Sequence, residues 1–156
     1  MKLNNFLIVS IALLFILAGS CVVGAEEVDD IDYDQHALGF NIWYGGSGIS
    51  YRYFFTPVDA VQFTGSVYSW QSEIYYSVGA LYNRVLHQGE STRLLVVPGV
   101  ILQSYDQFLG SVLRVEFEPA RLENINFGIS GGYQLQSYGD YINVGPVAGL
   151  SLFYSF

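Results

Sequence analysis

Few residues in this chain could do covalent chemistry. Nucleophilic catalysis needs a hydroxyl or thiol within hydrogen-bond reach of a base, and the sequence offers two histidines, His36 and His87, and one cysteine, Cys21. No His-x-Ser pattern occurs, neither histidine has a serine two residues away, and both fall where the chain is expected to enter or leave a turn. Each reads more plainly as an exposed turn residue than as a catalytic base. No Cys/His cluster has metal-ligand spacing. Gly45-Gly46-Ser47-Gly48 precedes no helix, so it is a turn and not a phosphate cradle. No catalytic, cofactor-binding or metal-ligating residue is assigned, and no cofactor is expected.

The ionisable residues are sparse and unevenly placed. Six of the fourteen acidic residues crowd into Glu26–Asp34, and such a run is usually a solvated, flexible segment, here 26–36. A Ca²⁺ or partner site in that run is the sharper alternative. A formal net charge of −8 argues against nucleic acid, which requires a basic footprint. Beyond Lys2 the cations are Arg52, Arg84, Arg93, Arg114 and Arg121. Charged residues make up 13% of the chain, about half the usual share of a soluble domain, while tyrosine, phenylalanine and glycine abound. A water-facing surface is hard to build from that composition; a surface facing hydrocarbon is not.

The first residues read as an export signal: Lys2 supplies a positive charge, Phe6 to Ala18 is apolar apart from Ser10, and Val23-Gly24-Ala25 suits cleavage after Ala25. The apolar run is short for a transmembrane helix, which needs about 20 residues. Ala18-Gly19-Ser20-Cys21 resembles a lipoprotein signal in which Cys21 is lipidated, but Leu17 sits one place too early for that pattern. By either route no cysteine remains further along, so no disulfide staples the fold.

From residue 37 onward the apolar residues alternate with period two, the signature of strands with one apolar face. Leu38, Phe40, Ile42 and Tyr44 form the first row, followed by Ile49, Tyr51, Tyr53 and Phe55 after the glycine turn. Thr56-Pro57-Val58-Asp59 turns the chain into a third row, Val61, Phe63 and Val67. A fourth strand from about Ile74 to Leu86 presents Tyr76, Val78, Ala80 and Tyr82, and His87 to Thr92 makes a polar turn. A fifth, Arg93 to Ser104, is nearly all apolar, so its facing is ambiguous. The sixth sets Leu109, Leu113, Val115 and Phe117 against Gly110, Arg114, Glu116 and Glu118, with a turn at Pro119 to Glu123. The seventh sets Ile125, Phe127, Ile129 and Tyr133 against glycine and polar residues, and an eighth begins near Ile142. Pro98 and Pro146 fall inside strands, where proline removes a ladder hydrogen bond; they mark bulges or misplaced boundaries.

Eight strands of this length fit a bilayer crossing of about 9–11 residues, and eight is the smallest even number in membrane barrels. The large apolar residues lie on one face and Gly, Ser, Asn, Gln and Thr on the other, the reverse of a water-soluble barrel. Lipid requires closure, since every backbone group must be paired. The predicted fold is therefore all-β: a closed antiparallel up-and-down transmembrane β-barrel over 37–156, preceded by a signal peptide over 1–25. An eight-stranded interior is only wide enough for side chains to fill, and Arg52, Phe54, Gln62, Tyr68, Arg114, Glu116 and Glu118 are expected there. Because buried charges need partners, Arg52 and Arg114 are expected to pair with Glu116 and Glu118. Arg114→Leu should then destabilise the barrel without altering permeability. Tyr44, Trp43, Tyr68, Trp70, Tyr138, Tyr141 and Tyr154 lie near strand ends, as interfacial girdles do.

The last strand carries the most specific pattern: Leu150, Leu152, Tyr154 and Phe156 alternate with Gly149, Ser151, Phe153 and Ser155. This resembles the C-terminal signature of bacterial outer-membrane barrels, and the whole pattern resembles the small eight-stranded porin-like or outer-membrane protein A-like domains. The resemblance implies an outer-membrane location, reading of the last strand by the barrel assembly machinery, and both termini in the periplasm. It also places 45–48, 71–73, 105–108 and 138–141 outside, as loops shorter than the family usually carries. The expected role is structural or interaction-based, a monomer among outer-membrane lipids with no wide pore. The alternatives are a narrow porin-like channel, a lipid A-modifying enzyme, and a periplasmic lipocalin-like binder of a hydrophobic ligand.

Overall fold

The structure, a computed structural model, describes residues 34–43, 46–70, 73–89, 92–104, 108–122, 124–138 and 141–156. Of residues 43, 46, 68–70, 108–115, 119–122, 136–138 and 141–142 it describes only the backbone. The signal segment, Cys21 and most of the acidic run lie outside the described residues.

Eight strands follow in chain order: β1 (His36–Trp43), β2 (Gly46–Phe54), β3 (Asp59–Trp70), β4 (Glu73–Gln88), β5 (Arg93–Gln103), β6 (Phe108–Leu122), β7 (Ile125–Tyr138) and β8 (Tyr141–Ser155). Each pairs antiparallel with its sequence neighbour, and β8 returns to β1, so the sheet is a closed barrel. The seam runs from Ala37–Ser155 to Trp43–Gly149. It is extended by His36, whose N–H donates to the Phe156 carbonyl oxygen and whose carbonyl accepts from the Phe156 N–H. Closure leaves no free edge along that stretch, which is what a hydrocarbon solvent demands.

Register fixes which residues face inward. Leu38, Phe40 and Ile42 of β1 and Leu150, Leu152 and Tyr154 of β8 are all exposed on the outer wall. Their neighbours Ala37, Asn41, Ser151, Phe153 and Ser155 are buried in the lumen. The facing of β5 is settled: Leu95, Val97 and Ile101 point inward. They join Phe54, Ala60, Leu81, Val85 and Val147 in an apolar cluster inside the barrel. The inner face thus carries this apolar cluster alongside buried polar residues of the same strands, such as Arg52 on β2, Gln62 on β3 and Asn83 on β4.

Several expected boundaries shift. β2 starts at Gly46, so Ser47 and Gly48 are ladder residues opposite Ile42 and Asn41, not part of a four-residue turn. β4 runs to Gln88, so His87 belongs to the strand, opposite Leu94, just past an irregularity between Val85 and His87. β6 runs through Pro119 to Leu122, with its register shift between Phe117 and Ala120. A bulge at that point suits a residue with no N–H to give. Pro98 stays in β5, paired with Leu113 on β6. The described pairs with β4 pass from Leu81–Gly99 directly to Arg84–Val96, so the ladder lapses on the side where its missing N–H would have bonded. Pro146 pairs with Tyr133 on β7, above the end of the described β1–β8 ladder, where a strand tolerates proline.

Candidate functional site

The lumen holds a charge cluster centred on Arg52. In a ring of eight strands β2 and β6 stand opposite each other, so the Arg52 side chain, from β2, crosses the bore to reach β6. Its Nη1 donates to Glu118 Oε1 at 2.8 Å and its Nη2 to Glu116 Oε1 at 3.1 Å. Nε and Nη2 also donate to Gln62 Oε1 on β3, at 3.4 and 3.3 Å. Ser151 Oγ, from β8, donates to Glu116 Oε1 at 2.8 Å. The guanidinium carbon lies 4.2 Å from the centroid of the Phe153 ring, a cation–π arrangement. The planar fork of arginine meets two carboxylates and an amide at once, which the point charge of a lysine could not do.

Two glycines make room for this crossing. A Cβ on Gly39 would come within 2.3 Å of the Leu152 carbonyl oxygen and 2.5 Å of Phe153 Cδ1, so β1 is bare here both for the close approach of β8 and for the Phe153 ring beneath Arg52. A Cβ on Gly128 would come within 2.8 Å of Glu116 Oε1 and 2.3 Å of Ser151 Oγ. Arg52, Glu116 and Glu118 are each no more than 1% exposed. Charges taken so far from water hold only if compensated, and four strands contribute side chains to that compensation here.

Of the expected site residues, the structure brings Arg52, Glu116 and Glu118 together. Among the described residues, Arg52 bonds both carboxylates. Arg114 lies on the same inward row of β6 by register, opposite Val97 and Gly132, and its side chain lies outside the described residues, as does that of Tyr68. Sequence reasoning missed Arg93: it faces inward, stands opposite Glu118 in the β5–β6 ladder, and places its guanidinium 5.3 Å from the Phe54 ring. Its position at the first residue of a strand hid its facing. Above the lock, Asn41 Nδ2 donates to Ser50 Oγ, and Ser66 and Ser77 share a hydrogen bond.

A second ionic cluster lies at the turn between β2 and β3. Arg84 Nη1 donates to both Asp59 oxygens at 2.7 Å, Tyr82 donates to Asp59 Oδ1, and Thr56 Oγ1 donates to Asp59 Oδ2 at 3.0 Å. Asp59 and Arg84 are directly opposite in the ladder, so this pair staples one hairpin where the Arg52 lock spans the ring.

The C-terminal residues sit in an aromatic cluster on the outer wall. The His36 ring lies 5.3 Å from Tyr53, 5.8 Å from Phe156 and 6.0 Å from Tyr51, and Tyr154 lies 6.3 Å from Phe156. His36 Nδ1 and the Tyr51 hydroxyl are hydrogen-bonded at 2.7 Å. His36 is therefore a strand residue within an aromatic cluster, not a turn residue.

No family model matches the sequence, and no curated protein matches it. Among solved structures, the chain is similar to the de novo designed transmembrane barrel TMB2.3, seen by solution NMR, with a TM-score of 0.54 and 8% identity over 79% of this chain and 94% of that one. Ail, the attachment invasion locus protein of Yersinia pestis, aligns with a TM-score of 0.37 and 18% identity over 78% of this chain and 93% of that one. The first likeness agrees with the fold, a closed eight-stranded antiparallel barrel.

Proposed function

We propose that the protein is an integral outer-membrane barrel with a structural or interaction role in the envelope, its lumen closed by side chains. The observation that carries this reading is the inverted facing. The outer wall is a band of exposed Leu, Ile, Val, Phe and Tyr, while Arg52, Glu116 and Glu118 are sealed inside. Monomeric soluble proteins rarely expose so continuous an apolar surface, and a soluble carrier of a hydrophobic ligand would have apolar residues inside and charge outside. The Arg52 lock and the apolar cluster both occupy the bore, which favours a plugged barrel over a conduit. His36 is engaged by a tyrosine hydroxyl and not by a serine, which favours a non-catalytic barrel. The exposed row Leu150, Leu152, Tyr154 and Phe156 supports recognition of the last strand by the barrel assembly machinery during insertion.

The direct test is heat-modifiable gel mobility of the purified protein in detergent, with the unboiled form expected to migrate faster. A mature protein that stays folded and monomeric in plain buffer would refute the embedded barrel. In planar bilayers the wild type should show no steady conductance.

A further inference from the structure

The barrel wall is uneven in height. β1 and β2 hold 8 and 9 residues, whereas β7 and β8 hold 14 and 15 and β3 holds 12. One rim is level: the pairs His36–Tyr53, Ala37–Ser155, Phe54–Ala60 and Ile125–Tyr154 all lie at the end that carries Phe156. The difference therefore falls at the opposite end. With strands inclined at about 40°, each residue raises the wall about 2.5 Å, so it stands roughly 20 Å tall at β1–β2 and roughly 35 Å at β7–β8. Only residues 44 and 45 link β1 to β2, too short a link to make up the gap.

The outward rows show the same step. On β8 the exposed row runs from Tyr154 through Leu152 and Leu150 to Val144. That row covers about 25 Å along the axis, the usual height of the apolar band of a membrane barrel. On β2 the exposed apolar row ends at Ile49, and the next outward residue is the exposed Ser47, on the rung with Ile42. Above that rung the flanking strands run on. The described β1–β8 pairs end at Trp43–Gly149 while β8 reaches up to Tyr141. The described β2–β3 pairs end at Ile49–Gly65 while β3 reaches Trp70. In a flat bilayer the backbone of both edges would lie in hydrocarbon beyond the last of those rungs, at the cost of several unmet hydrogen bonds. A bilayer thinned to the height of β1–β2 brings headgroups and water to them instead, and lipid yields to mismatch at a far smaller cost per ångström.

We propose that the β1–β2 side of the barrel is a surface fitted to a locally thinned bilayer, about 5–10 Å thinner than the lipid around the rest of the ring. The proposal rests on the membrane reading above. The test compares spin-label depths on the full chain in palmitoyl-oleoyl lipid vesicles, each label on a single cysteine in a Cys21→Ser background. Ser47→Cys reports the short wall, and Val100→Cys on β5 is its counterpart across the ring. The rungs Leu38–Tyr51, Tyr51–Phe63, Phe63–Ala80 and Ala80–Val100 lead half-way round. A full circuit of the rungs climbs about ten residues along β1, so Val100 stands about five above Leu38, level with the Ile42–Ser47 rung. Collision rates with oxygen and a nickel chelate should place the Ser47 label among the headgroups and the Val100 label about 5–10 Å deeper. Leu38→Cys and Val96→Cys, each four residues nearer the other rim than Ile42 and Val100, should match each other. Equal depths at Ser47 and Val100 refute the thinning. Unequal depths there, with Leu38 and Val96 displaced in the opposite sense, show a tilted barrel and refute it too. A Ser47 label shielded from both reagents overturns it in favour of a protein partner seated over the short wall. Heat-modifiable mobility checks that each variant folds, and Ile42→Cys replaces Ser47→Cys if the latter does not. Labels that all meet the nickel chelate freely refute the membrane reading itself.

Discussion

Arg52→Met tests the lumen lock most directly. Methionine keeps much of the length and apolar bulk of the side chain but removes every donor, leaving Glu116 and Glu118 fully buried without the guanidinium that bridges them. Breaking a buried ion pair by deleting one partner costs about 3–5 kcal/mol. The lost contact with the Phe153 face adds to this, and a sulfur–aromatic contact on the same ring gives back about 0.3–1.5 kcal/mol. The expected net loss is therefore about 3–4 kcal/mol, within the breaking range just cited. It should be read by urea unfolding of the reconstituted protein, followed through Trp43 and Trp70 fluorescence. The triple variant Arg52→Met, Glu116→Gln, Glu118→Gln removes the stranded charges as well, and should recover at least half of the loss. A single variant within about 0.5 kcal/mol of wild type, the range of an ordinary surface change, would refute the reasoning. So would a triple variant no more stable than the single.

Gly39→Leu should destabilise by about 1–3 kcal/mol through overpacking against Phe153, and adding Phe153→Ala should relieve part of that loss; a double variant whose losses simply add would count against the ring-on-glycine contact. Arg52→Met should leave bilayer conductance at the wild-type baseline, because Leu95, Val97, Leu81 and Phe54 still occupy the bore; a stable conductance in the variant would show that the lock alone seals it. Deleting Phe156 removes its ring from His36 and Tyr154 and one hydrogen-bonded pair from the seam. Slower insertion into vesicles, with the assembly machinery supplied, is expected; an unchanged rate would refute a role for the terminal aromatic.

The sequence by itself determined the class of fold, because a strand with side-chain period two betrays its two faces residue by residue. Leu38, Phe40 and Ile42, or Leu150, Leu152 and Tyr154, need no partner strand to be recognised as one apolar row. It also determined that Arg52, Glu116 and Glu118 lie on inward rows and must compensate one another. What it did not contain was which row meets which. The pairing of one arginine with both glutamates depends on β2 and β6 standing across the ring, a property of strand number and closure that no local spacing encodes. The facing of β5 was decided the same way: a run apolar on both sides carries no phase of its own, and only register with β4 and β6 turned Leu95, Val97 and Ile101 inward. Nothing in the sequence marks Gly39 or Gly128; only the crossing shows what their bare backbones admit. Composition and period set the surface that faces lipid; the closed ring decided the contacts inside it, because those join residues 64 and 66 positions apart.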